Sequence, residues 1–322
     1  ALEQALPLFR ADLATDMVYE LPELEGVMAR AYALEEGLPE GVAQALLDGV
    51  RPTAPGGSLP VHAAGAIIAA VDRVDTLLGF FALGKRPSGS ADPFGLRRAA
   101  AGLARIALSQ DWDLPLRALL EAGARGYEAH PVLESAEVLA EVESFVWDRV
   151  ASLLSEEGIG VTTVRAAVAG SPSIALAARR AHLLAALEEH ASFGDFRELF
   201  KRAANLADKA EPGVMVDAAR FDVDEERALA ATLDAARAGV VSLLGELRVQ
   251  LPAWSLGQGP MVAPVPGEGF PAVLAMKDPL DRFLDDVLVM VDDAALRTNR
   301  LALLREVRDV LLGLGNLAEL GG

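Results

Sequence analysis

The densest positive charge in the chain lies where a turn feeds a helix. Between Lys85 and Arg105 stand five cations, Lys85, Arg86, Arg97, Arg98 and Arg105, against one acid, Asp92, a local balance of +4. The segment Gly84-Lys-Arg-Pro-Ser-Gly-Ser-Ala-Asp-Pro-Phe-Gly-Leu-Arg-Arg98 joins those cations to a Gly/Ser turn. Backbone amides at a helix start, with Lys85, Arg86, Arg97 and Arg98 around them, could seat a phosphate. This is not a Walker loop, because no Gly-Lys-Ser/Thr closes it. Spacing alone equally allows a helix-turn-helix whose arginines pair with an acidic surface.

A second set of chemistry-bearing residues is acidic. Asp12 follows Leu8-Phe-Arg-Ala, and Asp72 and Asp75 sit in Ala66-Ile-Ile-Ala-Ala-Val-Asp-Arg-Val-Asp75. This layout resembles the metal-dependent phosphohydrolases of the HD superfamily, where a His-Asp pair and a later Asp hold a divalent ion. Ala11 stands where the histidine should be, and His62 is the only imidazole before Asp72. One imidazole does not rebuild a His-rich site. Asp12, Asp72 and Asp75 are therefore read as vestigial positions, solvated or ion-paired, in an inactive HD-like fold, and no bound metal is expected.

The composition bounds what else is possible. The 322 residues are 52% apolar, enough for two or three domains with buried cores. There is no cysteine, which excludes disulfides, thiolate nucleophiles and Cys-based zinc sites and suits a reducing cytoplasm. A net charge of -18 repels polyanions at long range, so any RNA contact must be local. The longest apolar runs, Val61–Val71 and Leu301–Leu304, are far shorter than the roughly 20 residues of a membrane span. A soluble, cytoplasmic protein is expected. The opening ALEQALPLFRADLATD has no initiator Met and no signal-peptide pattern, which suggests a piece of a longer chain.

Ala, Leu, Glu and Arg dominate, and apolar residues recur at three- and four-residue spacing, which predicts an all-α fold. Helices are expected at about 3–19, 23–36, 61–82, 93–109, 133–156, 173–190, 192–207, 224–248, 279–291 and 293–315, with Asp92, Ser173 and Asp278 as N-caps. The Pro/Gly-rich stretch from Leu251 to Pro271 is expected to carry no helix. No fixed-period repeat is present. On the last helix, Leu296, Leu303, Val307, Val310 and Leu314 fall on one narrow stripe. Arg297, Arg305 and Arg308 project opposite it, toward solvent, whereas Arg300 lies at its edge and is expected to pair with a carboxylate.

Four blocks, in order along the chain, carry a family resemblance. Asp72-Arg-Val-Asp-Thr-Leu-Leu-Gly-Phe-Phe-Ala-Leu-Gly-Lys-Arg-Pro-Ser-Gly-Ser-Ala-Asp-Pro-Phe-Gly-Leu-Arg-Arg-Ala resembles the signature of the bacterial glycyl-tRNA synthetase beta subunit. The stretches from Ala11 to Ala33, from Phe200 to Leu206 and from Phe283 to Leu304 are similar to further blocks of that family. There are two departures: Ala91 replaces the Lys of the family's PTGSKDP loop, and 251–271 looks like an insertion.

The resemblance implies the C-terminal part of the beta subunit, all-α throughout. It implies an HD-like helical domain over 1–128, connecting helices over 129–172, and a DALR-type anticodon-binding bundle over 173–322. It also implies a glycine-tRNA ligase component that binds tRNA(Gly), with the alpha subunit and the N-terminal remainder of beta as partners. Membrane and DNA are not expected partners. ATP and magnesium are expected at the alpha subunit, and no cofactor or catalytic residue is expected in this chain. The tRNA-binding candidates are Lys85, Arg86, Arg97, Arg98, Lys201, Arg202, Asn205, Arg297, Asn299, Arg305 and Arg308, with Asn299 able to read a base edge. Trp254 could stack on a base or pin its loop. Two rival classes remain: a metal-dependent HD phosphohydrolase, and a helical scaffold that only joins subunits.

Overall fold

In a computed structural model, the described residues are 1–127, 135–255 and 269–320. Every regular element among them is a helix, apart from one isolated two-residue bridge between Ser88 and Ala91. The chain is all-α, and it divides into two compact units.

The first unit holds Ala1–Leu153 with Pro172–Ala175. Its helices are α1 (Leu2–Ala5), α2 (Asp16–Glu20), α3 (Val27–Glu35), α4 (Glu40–Gly49), α5 (Ala63–Ala82), α6 (Leu96–Ser109), α7 (Leu116–Arg125) and most of α8 (Ala136–Glu156). The core is built on α5, which packs against α4, α6 and α7. Ile68, Val74, Leu77, Leu78 and Phe81 recur at helical spacing and are all buried. Each such side chain is worth roughly 1.5–3 kcal/mol in transfer from water. Gly84, at φ +70, ends this helix. The Gly84 amide bonds to the Phe81 carbonyl and the Lys85 amide to the Phe80 carbonyl, which fixes where the basic loop starts.

The second unit holds Leu154–Ser171, Leu176–Gln250 and the C-terminal helices. Its elements are α9 (Val161–Val168), most of α10 (Ile174–Glu188), α11 (Phe193–Ala207), most of α12 (Asp224–Ser255), α13 (Gly269–Leu274), α14 (Lys277–Asp286) and α15 (Ala294–Leu312). Here α11 packs on α13, α14 and α15. Phe196, Phe270 and Phe283 are fully buried, and the Phe196 and Phe270 rings meet edge to face at 5.5 Å.

Several expected elements differ. The single helix over 3–19 is broken into short turns at Pro7, which lacks an amide hydrogen, and at Arg10, whose φ is +63. Four helices, α4, α7, α9 and α13, were not expected; α9 reads VTTVRAAV, a weak helix former that packing against the turn Leu317–Leu320 holds in shape. The cap at Asp92 sits outside its helix, since α6 starts at Leu96, and α14 starts one residue before Asp278.

Helix α12 runs through Pro252 to Ser255, and Pro271 lies within α13, so the stretch expected to be non-helical is helical at both ends. Residues 256–268 and the Trp254 side chain lie outside the described residues. The Asp224–Pro252 portion of α12 is long and apolar enough to span a bilayer, with mean hydropathy 1.3. Leu229, Leu233, Ala236, Val240, Leu243 and Leu247 are buried at three- and four-residue spacing along it, the pattern of a helix packed in a bundle.

Candidate nucleic-acid interface

The three vestigial acids do not share a site. Asp12, on a short turn of helix, is buried and not solvated. Its carboxylate accepts from the amides of Gly26 at 2.7 Å and Ala29 at 3.2 Å, capping α3. Asp72 accepts from the Arg10 guanidinium at 3.1 Å, and Arg10 also lies 3.4 Å from Glu25. Asp75 accepts from the Tyr127 hydroxyl. Burial holds Asp72 and Glu25 above the usual carboxylate range, against the opposing charge of Arg10. Burial and the neighbouring Asp72 do the same to Asp75. Among the described residues no three His, Asp or Glu side chains converge as a metal site would require. Arg10 supplies a built-in cation between Glu25 and Asp72.

The basic loop is largely self-satisfied. Asp92 accepts from the amides of Leu96 at 2.8 Å and Arg97 at 2.9 Å, so the helix-start amides expected to cradle a phosphate already hold a carboxylate. Arg97 donates to the Gly89 carbonyl at 2.7 Å, and Arg86 pairs with Glu141 while lying over the Phe81 ring. Lys85 and Arg98 remain exposed, without an ion-pair partner among the described residues.

The last helix corrects the solvent-cation expectation most sharply. Arg297, Arg305 and Arg308 are half-buried rather than projecting freely. Arg297 donates to the Val291 carbonyl at 2.7 Å, and Arg305 clasps the carbonyls of Glu211 and Val214. Arg308 pairs with Asp208 at 2.9 Å and Asp309 at 2.8 Å. Asn299 is buried, accepting from the Asp217 amide at 2.8 Å and donating to its carbonyl at 3.1 Å, so its amide is already paired as it would have to be with a base. The apolar stripe is also wider than projected: Leu301, Ala302, Leu304 and Leu311 are buried as well. The segment after α11, invisible to a single-helix projection, supplies the partners of Asn299 and Arg305, and packing against α11 widens the buried face. Arg300 is buried and paired with Glu226 at 2.7 Å, as its edge position implied.

Apart from the scattered Arg165 and Arg282, the exposed cations of the second unit without a partner among the described residues stand on or just after α11. Arg197, Lys201 and Asn205 are spaced by four residues, so they stack along one face, and Lys209 continues the line just past the helix end. All four are exposed and have no side-chain hydrogen-bond or ion-pair partner among the described residues. Arg197, Lys201 and Asn205 line an open groove of about 740 Å³, backed by Phe200, Ala204 and Leu317. The nearby acid Glu198 is drawn toward Lys277, 3.7 Å away. Arg202 points elsewhere, pairing with Asp281 at 2.8 Å and with Asp285, and so fastens α11 to α14. Arg197 escapes a motif-based reading because the family-like block opens at Phe200, yet the i, i+4 recurrence of 197, 201, 205 and 209 is visible in the sequence. Such a line of unpaired donors at phosphate-like intervals can neutralise a nucleic-acid backbone.

Comparison with known proteins bears on this arrangement. A family model described as glycyl-tRNA synthetase beta subunit matches residues 1–169. The chain is 35% identical over 317 residues to the glycine–tRNA ligase beta subunit of Desulforudis audaxviator, covering 98% of this chain and 44% of that protein. It is 34% identical over 317 residues to the one from Ectopseudomonas mendocina, covering 98% and 44%. With the one from Methylobacillus flagellatus it shares 36% identity over 325 residues, covering 98% and 42%. The chain thus spans less than half the length of the curated relatives it matches.

Proposed function

Because this chain belongs to the glycyl-tRNA synthetase beta-subunit family, we propose that it is the tRNA-binding portion of a glycine-tRNA ligase and that α11 of its second unit presents the contact. The observation that carries this is the free line of Arg197, Lys201, Asn205 and Lys209 on a chain of net charge -18. On so acidic a molecule, cations left without carboxylate partners along one helix face are the places where a polyanion can approach. The cations of α15 are engaged internally and position the bundle rather than the ligand. We assign glycine activation with ATP and magnesium to the alpha chain, and we regard the first unit as HD-like and the second as DALR-type in descent.

The test is tRNA(Gly) binding as a function of salt, for the chain and for Arg197→Ala/Lys201→Ala. Each lost phosphate contact removes about 0.7–0.9 from the slope of log affinity against log salt, so the double variant should bind more weakly with a slope shallower by roughly 1.4–1.8. Unchanged affinity and slope would remove α11 from the interface. An HD phosphohydrolase would instead show manganese-dependent phosphoester hydrolysis lost in Asp12→Ala, and a pure scaffold would show no tRNA binding.

A further inference from the structure

The first unit carries a feature that phosphate neutralisation does not explain. The rings of Phe80 and Phe94 stack at 4.3 Å with an interplanar angle of 25°. Phe80 covers one face of Phe94, yet Phe94 remains 44% exposed. The two free cations of the basic loop stand beside this pair. The Lys85 backbone N–H donates a hydrogen bond to the Phe80 carbonyl at 2.9 Å, which sets the start of its side chain next to Phe80. Arg98 is folded back over Gly95, the residue after Phe94: a Cβ built at Gly95 would meet the Arg98 guanidinium at 2.7 Å, and Gly95 itself has φ +66. The turn is closed by its own hydrogen bonds. Ser88 and Ala91 exchange two backbone hydrogen bonds, at 3.0 and 2.8 Å, and the Asp92 carboxylate faces the amides of α6 rather than pairing with Lys85 or Arg98.

We propose that Phe94 is a stacking platform for an unpaired nucleotide, with Lys85 and Arg98 holding the flanking phosphates, so that the loop between α5 and α6 is a second RNA contact, specific for single-stranded RNA. An aromatic face flanked by free cations is the arrangement that binds single strands without reading sequence, since every base offers a π-face. A duplex offers no such face, because its bases are stacked on one another. The local charge, opposite in sign to that of the whole chain, selects an anionic partner over an apolar one. The identification of that strand as RNA, and as tRNA, rests on the function proposed above; the stacking site does not.

The experiment uses a short, unstructured, fluorescent oligoribonucleotide with the full chain. Phe94→Ala and Phe94→Leu should each weaken binding roughly 5- to 150-fold, and Phe94→Trp should retain it. Leucine keeps the apolar contact with Phe80, so a merely structural role for Phe94 would be rescued by Phe94→Leu, and that rescue overturns the proposal. Lys85→Ala/Arg98→Ala should lower the salt slope by about 1.4, the value for two phosphates of a single strand. Equal competition by a blunt RNA duplex, or oligonucleotide affinity unchanged in Phe94→Ala, also overturns it. Arg197→Ala/Lys201→Ala separates the two claims. If that variant keeps tRNA affinity while Phe94→Ala loses the oligonucleotide, the α11 reading fails and this one stands; the reverse pattern removes this one alone.

Discussion

The Arg300 guanidinium donates to the Glu226 carboxylate at 2.7 Å with both side chains out of water, 5% and 0% exposed. Glu226 also accepts from the amides of Asp222 at 2.6 Å and Val223 at 3.0 Å, and Arg300 donates to the Leu288 carbonyl at 2.9 Å. Burial alone would raise the Glu226 pKa, but the Arg300 hydrogen bond, the two amides and the Arg300 charge outweigh it and leave the carboxylate below its usual range. The pair thus joins the start of α12 to α15 and the 288 turn. Removing one partner strands a buried charge, so Arg300→Ala or Glu226→Ala should each cost about 3–5 kcal/mol. Replacing both, as Arg300→Met/Glu226→Leu, should recover much of that loss, because the desolvation cost of two ions disappears with them. Urea denaturation of the four proteins decides it; an additive double variant would refute the coupling.

Arg305 has a different job. Its two terminal nitrogens reach the carbonyls of Glu211 and Val214, bracing the turn that follows α11. A lysine ends in one nitrogen and lacks the two-nitrogen fork that spans both carbonyls. Arg305→Lys and Arg305→Ala should therefore each destabilise the second unit by about 1.5–3 kcal/mol, with faster amide exchange over 211–217. Their effect on tRNA affinity should be small beside that of Lys201→Ala. A larger effect from Arg305→Lys would return this residue to the interface.

How far these roles can be read from sequence differs from residue to residue. Arg300's pairing follows from its place at the edge of an apolar stripe, since a cation there must meet a carboxylate or leave the core. The same projection sends Arg297, Arg305 and Arg308 into solvent because it knows nothing of the segments that cross the polar face. The carbonyls of Val291, Glu211 and Val214 come from those segments. The all-α class is legible from composition, whereas α9 is not, since its Val and Thr residues take helical form only through packing. Phe94 lies in plain view within the signature block, but only the stack on Phe80 shows that one face is left open.

Asp92 and Gly95 shape the basic loop by separate means. Asp92→Ala removes a cap from two amides and should cost about 1 kcal/mol. Gly95→Ala places a side chain at φ +66, where only glycine is unstrained, and pushes its Cβ into Arg98. It should also cost about 1 kcal/mol. Thermal midpoints measure both. Because Gly95→Ala displaces Arg98 while Asp92→Ala frees the amides of Leu96 and Arg97, the first should weaken oligonucleotide binding and the second should strengthen it. A common direction of change would show that loop stability, not charge placement, governs the contact.

Acid should loosen the second unit through His182. Burial lowers its pKa from 6.5 to about 4. Well above pH 6.5 the imidazole is neutral in both folded and unfolded chains and contributes no pH dependence. As pH falls below 6.5 the unfolded chain takes up a proton that the folded chain refuses until about pH 4. Stability is therefore lost across that window, by up to about 3 kcal/mol at 1.36 kcal/mol per pKa unit. The first unit behaves oppositely near its acid cluster. Glu25, Asp72 and Asp75 have raised values and bind protons more readily when folded, so acidification favours that fold as pH drops through their folded values. A global melting curve would mix the two signs. Amide exchange along α10, followed from pH 7 to about 4.5, separates them, and His182→Gln should flatten the α10 profile. A slope that survives the substitution would assign the acid sensitivity to another group.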